Sequence, residues 1–261
     1  MPYTLAHPLF AAPLRRLGLP LSALGAGAVA PDLPLWASAV GLPGHLGSEG
    51  YFFTHSVTGI LTADLVIGLA IWVIWTHLVR EPFLDALPSP LRDRVPRVAP
   101  LRLWSLAVIG VVLGAITHVG IDEFTHPGRW GARHIPWLAE THAGVLGTSW
   151  VQYTAGISGL VGIALWCGVV VLRSPAQYRP VRHRAARRTV QGLVLAGGVV
   201  AATDATIVAA DSLHRAAFVA ATRGVLIVLA GLVVGSAIWV AADRWARSAR
   251  FGTGSDPDTR G

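Results

Sequence analysis

The sequence predicts an all-α polytopic membrane protein, with about five transmembrane helices and a short N-terminal region that is re-entrant or interfacial. Three observations carry this. Of 261 residues, 53% are apolar and only 13% charged, against about 25% charged in a typical soluble domain. The mean hydropathy is +0.55. Finally, residues 58–79, 103–119, 156–172, 190–210 and 225–242 are each long and apolar enough to approach the roughly 20 residues a bilayer crossing takes.

Taken in order, the first apolar stretch is the weakest. Residues 19–40 are rich in Gly, Ala and Pro and are interrupted by Pro31-Asp32. The break favours a re-entrant or interfacial helix, with a full crossing as the alternative. The first twenty residues lack a continuous apolar core and an Ala-x-Ala site, so no cleavable signal peptide is expected. Residues 1–175 read as a metal-site membrane domain, 176–250 as two further helices packed on it, and 251–261 as a disordered tail. No internal repeat is evident.

Orientation follows from arginine, since the formal charge of +7 is reached without lysine. Arg80, Arg92, Arg94, Arg97 and Arg102 separate the first two spans. Arg173, Arg179, Arg182, Arg184, Arg187 and Arg188 separate the third and fourth, and Arg244, Arg247, Arg250 and Arg260 follow the fifth. The opposite loops hold only Arg129, Arg133, Arg215 and Arg223. The rich loops are therefore expected in the cytoplasm of a multi-pass cell-membrane protein. Arginines spread over membrane-proximal loops, with no reader motif, argue against nucleic acid as a partner. The expected partner is the bilayer. Cys167, the single cysteine, has no disulfide partner in the chain and reads as buried apolar filler rather than a metal ligand.

The chemistry concentrates in His118, Asp122 and His126, each four residues after the last. On a helix that spacing stacks them on nearly one face, at the rim of the second span. Imidazole and carboxylate are ligands for zinc, iron or manganese. Thr125 and Pro127 stop the helix near His126, which can then turn away. Further candidates are His7 before Pro8, Asp32 in Ala30-Pro31-Asp32 and His55 in Thr54-His55-Ser56. Each has an ordinary reading as a surface group or helix cap. The topology nevertheless brings Asp32, His55 and His118 to one membrane face, and a shared cation would explain a partly buried set.

Around that set, Glu123 or His126 could act as general acid or base. Arg129 and Arg133 could pair with phosphate oxygens. Glu140 and His142, two residues apart, fit opposite faces of a helix, and one of them could reach a second ion. Asp64, inside the first span, could orient the His55 ring. Asp204 is expected to pair with Arg223 or Arg215, and Asp211 with His214 could form a separate polar site. Trp130, Trp137 and Trp150 read as an interfacial belt.

With these residues in view, the chain resembles the bacterial domain-of-unknown-function 4184 family. The likeness rests on Met1-Pro2-Tyr3-Thr4-Leu5-Ala6-His7-Pro8, Ala30-Pro31-Asp32, Thr54-His55-Ser56, Gly114-Ala115-Ile116-Thr117-His118-x3-Asp122-x2-Thr125-His126, Gln152-Tyr153 and Ser158-Gly159. Its motifs run from His7 to about Leu172. That family is similar to LexA-regulated membrane-bound metal-dependent hydrolases, which in turn resemble the all-helical zinc phospholipase C fold. The resemblance implies metal roles for His7, Asp32, His55, His118 and Asp122, and less securely for His126. The hydrolase group often carries His-Arg-Gly before its Thr-His-Ser. Here Tyr51-Phe52-Phe53 stands there, so that arginine is missing.

Three functions follow as expectations. The first is a membrane metal-dependent hydrolase acting on a lipid or phosphoester at the outer face, with one or two ions, zinc before manganese, iron or magnesium. The second is a Mg-dependent prenyl-diphosphate enzyme, for which the site is rich in His and poor in Asp. The third is a non-catalytic scaffold or small transporter using Asp64, Asp204 and Arg223.

Overall fold

The structure is a computed structural model and describes residues 4–39, 41, 48–95, 104–209 and 220–252. Asp211, His214, Arg215, Arg97, Arg102, Arg260 and the tail from residue 253 lie outside the described residues.

Short helices come first. Helix α1 (His7–Ala11) carries Pro8 in its first turn, where a missing N–H costs nothing. Helix α2 (Leu21–Val29) runs into a tight turn at Ala30–Asp32 and then α3 (Leu33–Ala39). At 1.5 Å per residue, α2 is only about 13 Å long, well short of a bilayer core of about 30 Å. The weak stretch thus holds two short helices joined by a 3-10 turn at Ala30–Asp32, and much of α2 is buried inside the bundle. Helix α4 (Ser48–Thr54) follows.

Four helices among the described residues are long and apolar enough to cross a membrane: Val57–Ala86, Trp104–His134, Gly147–Arg173 and Thr222–Ser248. They hold the predicted first, second, third and fifth spans. The first of them is α5 (Val57–Ala86), followed by the short α6 (Ser89–Arg92) and by α7 (Trp104–Thr125). Then come α8 (Trp130–His134) and α9 (Pro136–Ala139). A two-strand hairpin pairs β1 (Thr141–His142) with β2 (Val145–Leu146), and α10 is Gly147–Arg173. The predicted fourth span lies on α11 (Arg184–Ala209), which packs along α12 (Val225–Gly252).

Outward faces of these helices are apolar. Val66, Ile157, Leu165 and Leu172 are each more than half exposed, a belt that only lipid would cover well. Cys167 belongs to this belt: it is exposed rather than buried, because its face of α10 points away from the bundle.

Small residues set the core. A Cβ on Gly27 would lie 2.0 Å from the Val111 carbonyl oxygen, and one on Gly114 would lie 2.2 Å from that of Leu24. Backbone meets backbone between α2 and α7, as small residues permit in membrane helix pairs. Ala23, Ala26, Trp72, Ala107 and Val111 close the cluster against α5.

At the far end of α5, buried Asp85 gathers the C-terminal half. It accepts the Arg182 and His183 backbone N–H groups and the Trp239 indole N–H, at 3.1, 3.4 and 2.8 Å. Asp204 lies 3.7 Å from Arg223, the expected ion pair, with both side chains partly exposed.

Candidate metal centre

Helix periodicity puts Gly114, His118 and Asp122 on the face of α7 that meets α2. That contact carries the first chemical consequence. The Ala28 carbonyl at the end of α2 accepts a hydrogen bond from His118 Nδ1 at 2.7 Å. His118 is wholly buried, so its Nε2 is left to face inward. A parallel arrangement holds His55, which follows α4. Its Nδ1 donates to the Tyr51 carbonyl at 2.8 Å, and the Tyr51 ring lies against it at 4.0 Å. The Thr54 hydroxyl donates to the Pro31 carbonyl at 2.7 Å, tying α4 to the turn that carries Asp32.

Four ligand atoms thereby converge. Asp32 Oδ1 stands 3.6 Å from Nε2 of both His55 and His118. Asp122 Oδ2 stands 3.2 and 3.5 Å from the same two nitrogens. All four residues are buried, and one ligand atom of each lies within 4.8 Å of all the others. His118 Nε2 makes no hydrogen bond among the described residues, although two carboxylates flank it. The spacing has a direct meaning. The four nitrogen–oxygen separations of 3.2–3.6 Å are ones that ligands about 2.1 Å from a common centre allow. Two carboxylates and two imidazole nitrogens facing one another, with their N–H groups turned outward, form an acceptor-only cage. Such a cage can hold a divalent metal ion.

Other groups brace it. The Thr4 hydroxyl donates a short hydrogen bond to Asp32 Oδ2. Thr125 donates to Asp122 Oδ1 at 3.2 Å. Burial, with the negative charges of Asp122 and Asp32, raises the Tyr51 phenol, so it stays neutral.

His7 lies at the edge of the cage. It stacks on His118 at 3.9 Å, and its Nε2 reaches the second oxygen of Asp122 at 3.3 Å. His126 does not turn away despite following the helix end: its Nδ1 is 3.5 Å from Asp122 Oδ2, and Gln152 approaches its Nε2 at 3.3 Å. Between His7, Asp32, Asp122, Thr125, His126 and Gln152 lies a cavity of about 20 Å³, room for one water.

Several expected participants are engaged elsewhere. Asp64 does not orient His55, whose Nδ1 is taken by Tyr51; Asp64 is buried on α5 with both oxygens unpartnered among the described residues. Glu123 accepts the Trp130 N–H at 2.8 Å and pairs with Arg129 at 3.5 Å, which ties the α7–α8 turn. Arg133 is exposed on α8. Glu140 is exposed just before the hairpin, and His142 is held by the Trp137 carbonyl at 2.8 Å. Neither belongs to a second ion site among the described residues, because a hairpin rather than a helix carries this stretch.

Arg129 does join the site's edge. Its Nη1 approaches the His55 carbonyl at 3.4 Å, and its guanidinium lies 5.9 Å from the Tyr51 ring centre. An arginine therefore stands beside Tyr51 although the sequence next to Tyr51 has none. Sequence reasoning missed the bracing roles of Thr4, Tyr51, Thr54 and Thr125. Thr4 and Thr54 stand in the motifs quoted above, and Thr125 adds a helical signal, three residues after Asp122.

The architecture and the cage define an all-helical integral membrane protein with a buried Asp/His/His/Asp site suited to a divalent metal. The chain belongs to the Domain of unknown function (DUF4184) family, whose model matches residues 1–241, beyond the motif-bearing part into the last helix. No curated protein and no solved structure matches it.

The Thr4 bond yields a prediction. Thr4→Val keeps the volume but strips Asp32 of its hydroxyl donor. Outer partners of metal ligands contribute about 10–100-fold in affinity, so a chelator-competition titration should show metal binding weakened by at least about 10-fold. Unchanged affinity would mean Asp32 is not a ligand.

Proposed function

We propose that this chain is a metal-dependent hydrolase of the cell membrane, acting on a lipid or phosphoester at the outer face. The observation that carries the reading is the donor-free cage of Asp32, His55, His118 and Asp122, bordered by a cavity for one water. Four protein ligands alone would make a closed site, and the bordering water cavity is what supports a catalytic one.

Zinc is the proposed ion, because two imidazoles and two carboxylates suit it best; manganese, iron and magnesium rank after it. When bound, such an ion polarises a substrate oxygen and makes water a stronger acid. The chain's own groups do the rest. His7, Thr125, His126 and Gln152 surround the water position beside the carboxylates. His126, paired with Asp122 and partly open, is placed to take the water's proton and return it to the leaving group. Arg129 has a buried Nη2 without a partner among the described residues, so it can donate to a substrate anion. Neutral Tyr51 adds no charge against that anion.

Sidedness follows from arginine. Arg80, Arg92, Arg179 and Arg182 cluster around the end of α5 opposite His55. If that end is cytoplasmic, the metal centre faces outward.

The test is an assay of detergent-purified protein reconstituted with zinc, on short-chain phospholipids, phosphodiesters and carboxylic esters. Expected is turnover of at least one class that chelation abolishes. Turnover that persists after chelation, or none on any class, would contradict the reading.

A further inference from the structure

A second cavity among the described residues lies away from the metal centre. It has a volume of about 450 Å³ and is lined by Arg80, Arg92, Arg179 and Arg182, with Glu81 and Asp85 as its acids. The volume falls in the range of small-molecule sites. His55 and Arg80 are separated by the length of α5, about 37 Å at 1.5 Å per residue, so the two sites occupy opposite ends of one membrane helix.

The charges in this cavity do not cancel. Four guanidiniums line it with two carboxylates, and Asp93 pairs with Arg92 from outside, which leaves a formal excess of 4 − 3 = +1. Both carboxylates are already engaged. Asp85 accepts three N–H groups from Arg182, His183 and Trp239. Glu81 pairs with Arg80 at 2.7 Å and Arg182 at 3.6 Å.

The arginines are not satisfied in turn. Arg92 is only 6% exposed, and its Nη1 is buried with no hydrogen-bond partner among the described residues. Its Nε donates to Asp93 at 3.3 Å. Arg179 donates through Nη2 to the Val95 carbonyl, yet its Nε is buried and unpartnered as well. A buried guanidinium N–H without an acceptor is costly. Arginine presents a planar fork of donors that suits phosphate oxygens.

We propose that the cavity formed by Arg80, Arg92, Arg179 and Arg182 binds a phosphomonoester anion. Its three free oxygens would accept N–H groups from the four arginines that line the cavity, and its charge of about −1.5 to −2 at neutral pH opposes their positive excess. That chemistry occurs in a soluble phosphate compound and in a phosphatidic-acid headgroup. The site does not depend on the metal centre.

The experiment is a thermal unfolding titration of the full, delipidated chain in detergent. One arm adds inorganic phosphate, one adds dihexanoyl phosphatidic acid, and one adds dihexanoyl phosphatidylcholine with matched sodium chloride as the control. Expected is a saturable rise in midpoint with phosphate, phosphatidic acid or both, and none in the control arm. Response to phosphate identifies a soluble phosphoester as sufficient; response to phosphatidic acid alone identifies the headgroup. R92Q/R179Q should lose the rise, while Asp122→Asn should keep it. Arg80→Gln, at the more open rim, leaves the buried arginines in place and should weaken apparent affinity at least about threefold. No rise with either phosphate, an equal rise in the control, loss of the rise with Asp122→Asn, or an undiminished rise in both arginine variants would overturn the proposal.

Discussion

Asp122→Ala protein should leave purification with less than about a tenth of the wild-type metal. The expectation follows from how much one carboxylate touches. Asp122 lies within 3.6 Å of His7, His55, His118 and His126 and accepts the Thr125 hydroxyl. Losing an outer partner of a ligand weakens metal sites about 10–100-fold; losing a ligand that is also the hub of the cage should exceed that. The imidazole N–H groups remain on the Ala28 and Tyr51 carbonyls, so the rings hold their places while the charge that retains the ion is gone. Elemental analysis of wild type and variant, purified side by side, makes the comparison. Equal metal in both would remove Asp122 from the site.

The second large effect is predicted far from any ligand atom. Gly114→Leu should sharply reduce the yield of monodisperse protein, and what folds should bind metal poorly. A Cβ there would sit 2.2 Å from the Leu24 carbonyl oxygen and 2.8 Å from the Ala28 nitrogen. Overpacking typically costs about 1–3 kcal/mol where side chains can give way; here the obstacle is backbone, and the cost should reach or pass the top of that range. If α2 shifts to make room, the Ala28 carbonyl leaves His118. Gly120→Leu is the control: it lies on the same helix, and a Cβ there meets nothing within 4 Å. Size-exclusion profiles and metal content should therefore separate the two variants. Equal behaviour would mean that the α2–α7 contact does not hold the cage.

Much of this was legible in the sequence, for reasons that differ by element. The spans could be read because a bilayer demands long apolar runs, and α5, α7, α10 and α12 supply them. The pairing of His118 with Asp122 could be read because the helix repeat dictates it. The approach of Asp32 and His55 followed from topology, since each lies at the same end of the bundle.

What could not be read lies in backbone geometry. The acceptors that orient His118 and His55 are the carbonyls of Ala28 and Tyr51, and a carbonyl has no sequence signature. Arg129 reaches the site through a turn held by Glu123, so its position beside Tyr51 is invisible in the order of residues. The stretch around Glu140 and His142 was read with a helical repeat. Ala143 and Gly144 instead take positive φ, at 51° and 80°, and turn it into a hairpin. The apolar run around Cys167 suggests buried filler, yet apolar side chains in a membrane helix face lipid as readily as core.

The central claim is that Asp32, His55, His118 and Asp122 share one divalent cation. X-ray absorption spectroscopy on detergent-purified wild-type protein, paired with elemental analysis, tests it most directly. The account predicts about one divalent ion per chain, surrounded by nitrogen and oxygen neighbours at about 2.0–2.2 Å with no sulfur. Protein that retains no metal after zinc loading and desalting, or a metal whose neighbours include sulfur, would contradict it.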